Sequence, residues 1–183
     1  AASIPAGGDI DEWAGGLVDA ERGDPAAALE RYRASAHSQV AAFRSVDPAA
    51  RVLWVAGDMA ARTLATTRLT ETWIHTVDAA VAFGPAPAPT DRLWHTCRLT
   101  WRTVPYALAR DGVEAHGDVA FELTAPDGST WVFGDPSGSD TVVLGTAIDL
   151  CTVAGQRADA AGTTLVATGP DASAVLRLVR TFA

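Results

Sequence analysis

The chain has 183 residues and a formal net charge of −8, and 48% of its residues are apolar while 20% are charged. This composition is typical of a globular protein with one domain or two small ones, and it excludes a disordered chain and a disulfide scaffold. The acidic balance argues against a nucleic-acid partner, and the apolar runs are too short for the ~20 residues that span a bilayer.

The N-terminal part predicts one short and one long helix. Residues 1–24 form a lead-in segment with a short helical stretch over residues 11–21. Asp24 is a typical helix N-cap and Pro25 a typical first helical residue, so a long helix is expected up to about residue 47. Apolar residues at spacings of three and four give it one apolar face, formed by Leu29, Tyr32, Ala36, Val40 and Phe43.

Two further helices are predicted before residue 112. The first runs from about Met59 to Phe83 and is ended by the Gly-Pro pair at 84–85. One arc of this helix is apolar, with Leu69, Trp73, Ile74, Val77 and Val81, and the opposite stripe carries Arg68, Glu71, His75 and Asp78. After a Pro-rich linker, another helix is expected from residue 90 or 91 through Leu108, with Pro105 kinking or shortening it.

Beyond residue 117 the apolar period changes to two. A hairpin is predicted from two strands, residues 119–123 and 131–133, that flank a turn at 126–129. Two more strands are predicted at residues 141–144 and 165–168. Thr146, with Asp149 three residues on, resembles a capping box, and Asp171 opens a final helix with apolar Val175, Leu178, Val179 and Phe182. The predicted domains are therefore a lead-in 1–24, a helical region 25–112 and an α+β domain 113–183.

Glu71 and His75 are the strongest candidates for chemistry. They are four residues apart, so they lie about 40° apart on a helical wheel and can converge on one divalent ion such as zinc. Asp78 could orient His75 through the ring nitrogen that does not bind metal. A stabilising pair of surface side chains has the same spacing, and two ligands are fewer than the three of a typical catalytic zinc.

The residues around this pair are more specific than its spacing. Residues 68–78, with the sequence Arg-Leu-Thr-Glu-Thr-Trp-Ile-His-Thr-Val-Asp, resemble the signature helix of the mycothiol-dependent maleylpyruvate isomerase family. The resemblance extends over most of the chain from Asp24 onward, through residues 90–95, 102–106, 122–131, 156–157 and 166–170. It implies an α+β fold: a DinB-like helical bundle, its first helix absent from this chain, followed by a small mixed α/β sterol-carrier-like domain.

In that family the metal is held by this Glu and His and by a His on an earlier bundle helix. The resemblance therefore assigns Glu71 and His75 as metal ligands and leaves the third without a counterpart here. A missing initiator Met favours loss of an N-terminal segment, and a degenerate site is the alternative. His37 is a candidate substitute, whereas His95 is expected to cap or pack its helix and His116 to lie in a loop.

An Arg in the C-terminal domain is also important in the family. Arg157 is the matching position, expected to bind a carboxylate, and Arg102 is a weaker candidate for the same cofactor- or substrate-binding task. The resemblance implies that the thiolate of metal-bound mycothiol adds to an activated double bond, allows rotation and is then eliminated. The expected activity is isomerisation of, or S-transfer to, a small unsaturated or electrophilic acid.

The remaining expectations concern the setting and the alternatives. Cys97 and Cys151 are predicted to be buried free thiols, and with no visible signal peptide this favours a cytoplasmic protein. Abundant Ala and Arg without Lys suggest G+C-rich, actinobacterial coding DNA. A bundle short of one helix could pair into a homodimer.

The rival function is a non-catalytic metal-binding or interaction protein with the same fold. A hydrolase is set aside, because the sequence lacks the nucleophile motif of that class.

Overall fold

The computed structural model describes residues 9–54 and 57–181. The chain divides into two compact units, Ala1–Leu64 and Ala65–Ala183. This boundary differs from the predicted division at residues 112 and 113, which remains a prediction. The lead-in before residue 9 and the apolar contact expected of Phe182 lie outside the described residues.

The first unit contains the two predicted N-terminal helices. Helix α1 spans Ile10–Ala20 and α2 spans Pro25–Ser45. The carboxylate of Asp24 accepts hydrogen bonds from the amides of Ala26 and Ala27, which confirms the predicted cap. No residue of α2 is buried, however, and Tyr32 on its apolar face is 62% exposed.

A short hairpin, which the sequence analysis missed, precedes the signature helix. Strands β1 (Arg51–Val52) and β2 (Met59–Ala60) pair antiparallel, so the predicted helix start at Met59 was two residues early. Helix α3 then spans Ala61–Phe83, and α4 spans Leu93–Arg110. Pro105 lies inside α4 and does not end it. Within residues 9–54 and 57–181, no helix combines the length and hydropathy that crossing a bilayer requires.

The rest of the second unit is a four-stranded sheet with helices packed on it. Its elements are β3 (Val119–Thr124), β4 (Thr130–Phe133), β5 (Thr141–Thr146), α5 (Ala147–Ala154), β6 (Val166–Thr168) and α6 (Ala172–Leu178). The strand order is β4-β3-β5-β6, and β3 and β5 run parallel while the other pairs are antiparallel. The described helices and sheets confirm the predicted α+β class.

The core of the second unit is formed by α4, α5, α6 and one face of the sheet. Its largest fully buried side chains include Phe121, Leu108, Leu123 and Leu150. The Trp101 indole donates a hydrogen bond to the Val119 carbonyl at 2.7 Å and so joins α4 to the first strand of the sheet. Helix α4 therefore belongs to the same packed core as the sheet, because its buried stripe faces the C-terminal elements.

The buried face of α3 differs from the predicted arc. Thr70 and Ile74 are buried, whereas Val81 is 85% exposed. The Thr70 hydroxyl bonds to the Thr66 carbonyl and lies 3.1 Å from the Thr96 hydroxyl on α4, so a polar residue occupies an inward position at no hydrogen-bond cost. The contact with the core is made by the turns around Thr70 and Ile74, and the last turns of α3 are exposed.

Candidate metal and carboxylate site

Helix α3 presents Glu71, His75 and Asp78 on one stripe, beside its buried residues. The 3.6-residue period places side chains three and four apart next to each other on the helix surface. His75 Nε2 lies 3.5 Å from Glu71 Oε2, and His75 Nδ1 lies 3.2 Å from Asp78 Oδ2. The two ring nitrogens of His75 thus face different carboxylates.

A neutral His75 in this arrangement can donate through one nitrogen and bind through the other. A proton on Nδ1 donates to Asp78, which leaves the Nε2 lone pair beside Glu71. The His75 side chain is 66% exposed and that of Glu71 is 25% exposed, so a ligand can reach Nε2 from solvent. This is the order of contacts expected when a carboxylate fixes the tautomer of a metal-binding histidine.

Arg157, 79 residues away in the sequence, also bonds to Asp78. Its Nε donates to Asp78 Oδ1 at 2.8 Å and its Nη2 donates to Asp78 Oδ2 at 2.7 Å. These two bonds, partly opposed by burial and helped by His75, lower the pKa of Asp78 to about 2. Asp78 is therefore an anion throughout the neutral range and forms a bidentate ion pair with Arg157.

The guanidinium of Arg157 retains donors beyond this pair. Its Nη1 also donates to the Gly155 carbonyl at 2.8 Å. A guanidinium carries five N–H groups, and these bonds use one on each nitrogen, so two N–H groups remain. The Arg157 side chain is 37% exposed, which leaves it accessible to a small anion.

Helix α5 and a close contact with α3 place Arg157 at this position. Thr146 caps α5 by accepting a hydrogen bond from the Asp149 amide at 3.2 Å, as predicted. The carboxylate of Asp149 instead accepts from the Thr164 amide and hydroxyl, so the capping box is half formed. At the other end of α5, a Cβ added to Gly155 would lie only 3.0 Å from Ile74 Cδ1. A glycine at 155 thus permits the end of α5 to approach α3.

Glu71 and His75 fit part of a zinc site. Two donors about 2.1 Å from a tetrahedral ion are about 3.4 Å apart, close to the 3.5 Å between Glu71 Oε2 and His75 Nε2. Carboxylate and imidazole are both ligands that a divalent zinc ion accepts. Among the described residues, no group of three or more His, Cys, Asp or Glu side chains could hold a metal ion by itself.

The other predicted candidates lie elsewhere. Arg102 is exposed on α4 and lines a cavity of about 300 Å³ with Trp101, Pro105, Ala115 and residues 117–119. In the described part of the chain it is not among the ion-pair partners of Glu71, His75 or Asp78. His37 is exposed on α2 in the first unit. The His95 ring packs edge-on against Trp94 at 5.3 Å between ring centroids, which agrees with the predicted packing role.

His116 has a partner that the sequence analysis missed. The Asp171 carboxylate, 1% exposed, lies 2.6 Å from His116 Nδ1 and also accepts the His116 amide at 2.8 Å. The hydrogen bond to Asp171, followed by its charge, raises the pKa of His116. Asp171 precedes α6 as predicted but makes no side-chain cap, because its oxygens are bonded to His116. Nothing in the local sequence links residues 116 and 171.

Cys97 and Cys151 are free and fully buried, with their sulfur atoms 3.6 Å apart between α4 and α5. Burial is the main cause that raises the pKa of the Cys151 thiol. The prediction of two buried free thiols is confirmed.

The described residues form a mixed helical and sheet protein in which one helix presents Glu71, His75 and Asp78 on a single stripe. The family described as "Mycothiol maleylpyruvate isomerase N-terminal domain" matches residues 6–80, which include this stripe. The chain therefore belongs to the mycothiol-dependent maleylpyruvate isomerase family. That match ends before α4, so the sterol-carrier-like character of the C-terminal part remains a prediction.

Relatives of known sequence extend the comparison over the whole chain. Two proteins of Mycobacterium tuberculosis, MT0041 of strain CDC 1551 and Rv0036c of strain H37Rv, are each 32% identical over 184 aligned positions. The alignments cover 100% of this chain and 70% of each relative, and both relatives are described as uncharacterized. Their actinobacterial origin agrees with the expectation from composition. No solved structure matches the chain.

Proposed function

We propose that this protein is a metal-dependent, mycothiol-dependent isomerase or S-transferase that acts on a small unsaturated or electrophilic acid. The single observation that supports it best is the connected series Glu71, His75, Asp78 and Arg157, in which two metal-type donors, an orienting carboxylate and a carboxylate-binding cation lie side by side. Family membership supplies the reaction class.

In this proposal Glu71 and His75 hold the divalent ion, which we take to be zinc, with a further ligand from the family's earlier helix. A bound divalent ion lowers the pKa of a thiol and so supplies a nucleophile at neutral pH. Asp78 keeps the proton of His75 on Nδ1 and thereby leaves Nε2 unprotonated for binding.

Arg157 binds the carboxylate of the substrate. The two N–H groups that Asp78 and Gly155 leave free are enough for one bidentate anion contact. Asp78 bonds to both His75 and Arg157, so in this proposal the metal ligand His75 and the carboxylate-binding Arg157 are held in place relative to each other. A substrate acid bound at Arg157 would then have its unsaturated carbons held near the thiol.

Zinc titration by calorimetry tests the first step. The full chain is compared with the double variant Glu71→Ala/His75→Ala and with a matched surface control, His95→Ala/Glu122→Ala. We expect loss of zinc binding in the first variant and wild-type binding in the control. Equal zinc affinity in all three proteins would remove the proposed site, and thiol-dependent turnover of an unsaturated acid then tests the activity itself.

A second candidate function is a non-catalytic metal-binding or interaction protein with the same fold. The observation that favours it is the bidentate Asp78–Arg157 pair, since a guanidinium already paired with a carboxylate is also a common structural link. This candidate predicts zinc binding without turnover, and it predicts that Arg157→Gln lowers stability without changing affinity for an organic acid. The family's reaction makes us prefer the enzyme.

The setting of the reaction follows from the thiols. A protein that uses a thiol cofactor and keeps Cys97 and Cys151 reduced belongs in a reducing compartment, and we propose the cytoplasm. The homodimer, predicted from a bundle short of one helix, and the absence of nucleic-acid partners, predicted from the net negative charge, remain predictions.

A further inference from the structure

Helix α5 ends in a turn that has one left-handed residue. Gln156 has a φ of +59°. Within residues 9–54 and 57–181, no other residue except glycines has a positive φ. Three backbone bonds form around Gln156: Gly155 N–H to Cys151 O, Gln156 N–H to Val153 O, and Arg157 N–H to Thr152 O, each at 2.9 Å. This is the pattern of a helix C-terminus closed by a left-handed residue, where glycine is usual.

The side chain of Gln156 stabilises this unusual backbone. Its amide nitrogen donates to the Val153 carbonyl at 3.1 Å and to the Val179 carbonyl at 3.2 Å. The first bond pairs a carbonyl at the end of α5, and the second links that end to the residue that follows α6. A glycine at this position could adopt the same φ but could make neither bond.

Arg157 is the next residue in the chain, and the direction of its side chain depends on the backbone conformation of this turn. Its backbone N–H is bonded to Thr152 and its Nη1 to Gly155, so the guanidinium folds back over the helix end toward Asp78. An extended or right-handed backbone at Gln156 would direct Arg157 elsewhere, because reversing the sign of φ changes the path of the chain at the next residue.

We propose that Gln156 is a positioning residue, whose left-handed backbone, held by its side-chain amide, aims Arg157 at Asp78 and at the carboxylate of the substrate. The part that concerns the substrate rests on the proposed function. The part that concerns Arg157 and Asp78 rests on the contacts alone, so it can be tested without metal, thiol or substrate.

The test follows hydrogen exchange of the Arg157 Nε–H group by NMR in the ¹⁵N-labelled full chain, with the resonance assigned by its loss in Arg157→Lys. Gln156→Gly and Gln156→Val both remove the amide, but only glycine tolerates the left-handed backbone. Because that conformation costs an L-residue roughly tenfold in population, we expect exchange about tenfold faster in the valine variant than in the glycine variant.

Two results would overturn the proposal: wild-type exchange in Gln156→Val, or equally fast exchange in the glycine and valine variants. Should the valine variant fail to fold, Gln156→Ala replaces it, and exchange no faster than in Gln156→Gly counts against the proposal.

A kinetic arm separates this inference from the proposed function. If the protein is the proposed enzyme, Gln156→Val raises KM for the unsaturated acid more than it lowers kcat, and Gln156→Gly restores KM. An unchanged KM in Gln156→Val, in an active enzyme, would overturn the substrate part of the proposal. A wild-type protein without turnover but with the expected exchange pattern would refute the function and leave the positioning of Arg157 supported.

Discussion

The contact between Gly155 and Ile74 gives a quantitative test of how α3 is held against the end of α5. A methyl group at 155 would lie 3.0 Å from Ile74 Cδ1, 3.1 Å from Ile74 Cγ1 and 3.0 Å from the Cys151 carbonyl. The backbone at Gly155, with φ −78° and ψ 0°, accommodates alanine, so the cost of Gly155→Ala comes from overlap. Overpacking destabilises the folded state by about 1–3 kcal/mol. Alanine also restricts the unfolded chain, which stabilises the protein by about 0.4–1 kcal/mol. We therefore expect a net destabilisation of about 1–2 kcal/mol.

A second substitution relieves part of this overlap, because it removes one of the three atoms in close contact. Ile74→Val removes Cδ1 and by itself costs about 0.5–1.5 kcal/mol. The double variant should then be more stable than the sum of the single effects predicts, by about 1 kcal/mol, because the two side chains touch. Urea unfolding followed by tryptophan fluorescence measures all four proteins. Additive effects, or a Gly155→Ala variant as stable as the wild type, would show that this contact does not set the spacing.

The other predictions concern pH, metal affinity and thiol reactivity. The pKa of His116 is raised, so its contribution to stability is complete below about pH 6.5 and is lost as the pH rises through the raised value. The pKa of Asp171 is lowered, so its contribution is present above pH 3.8 and is lost as the pH falls through the lowered value. His116→Gln should therefore flatten the alkaline side of a plot of urea midpoint against pH, and an unchanged curve would contradict this. Asp78→Asn should weaken zinc binding about 10- to 100-fold in calorimetry, since second ligand shells have effects of that size. Cys97 and Cys151 should resist a thiol reagent in the folded protein and react after unfolding, because both are fully buried; fast reaction in the native state would refute it.

Elements determined by nearby residues could be predicted from the sequence. The caps of α2 and α5 depend on Asp24 and Thr146, whose side chains bond to amides two or three residues away. The hairpin of β3 and β4 is likewise local, with Asp127 accepting hydrogen bonds from the amide and hydroxyl of Ser129 in the turn. These hydrogen bonds join residues close together in the sequence, so residue type and spacing are sufficient to predict them.

Contacts between distant residues could not be predicted in the same way. The parallel pairing of β3 with β5 depends on which strands become neighbours. The Asp171 carboxylate has the residue type of a helix cap, yet it bonds to His116, 55 residues earlier. In α3, periodicity predicted a broad apolar arc, whereas the polar Thr70 is buried, with its hydroxyl 3.1 Å from that of Thr96 on α4. Residue type alone does not show which distant group will be present.

The candidate site combines both kinds of information. Glu71, His75 and Asp78 follow from helical spacing, and on that evidence alone a surface salt bridge explains them better than a metal site does. Arg157 changes this balance, because it reaches Asp78 from a different part of the fold with two well-aligned bonds. In the proposed function, this pair matters because of where it holds the guanidinium. The guanidinium lies next to Asp78, whose other hydrogen-bond partner is His75, so the proposed carboxylate-binding side chain and a proposed metal ligand are neighbours.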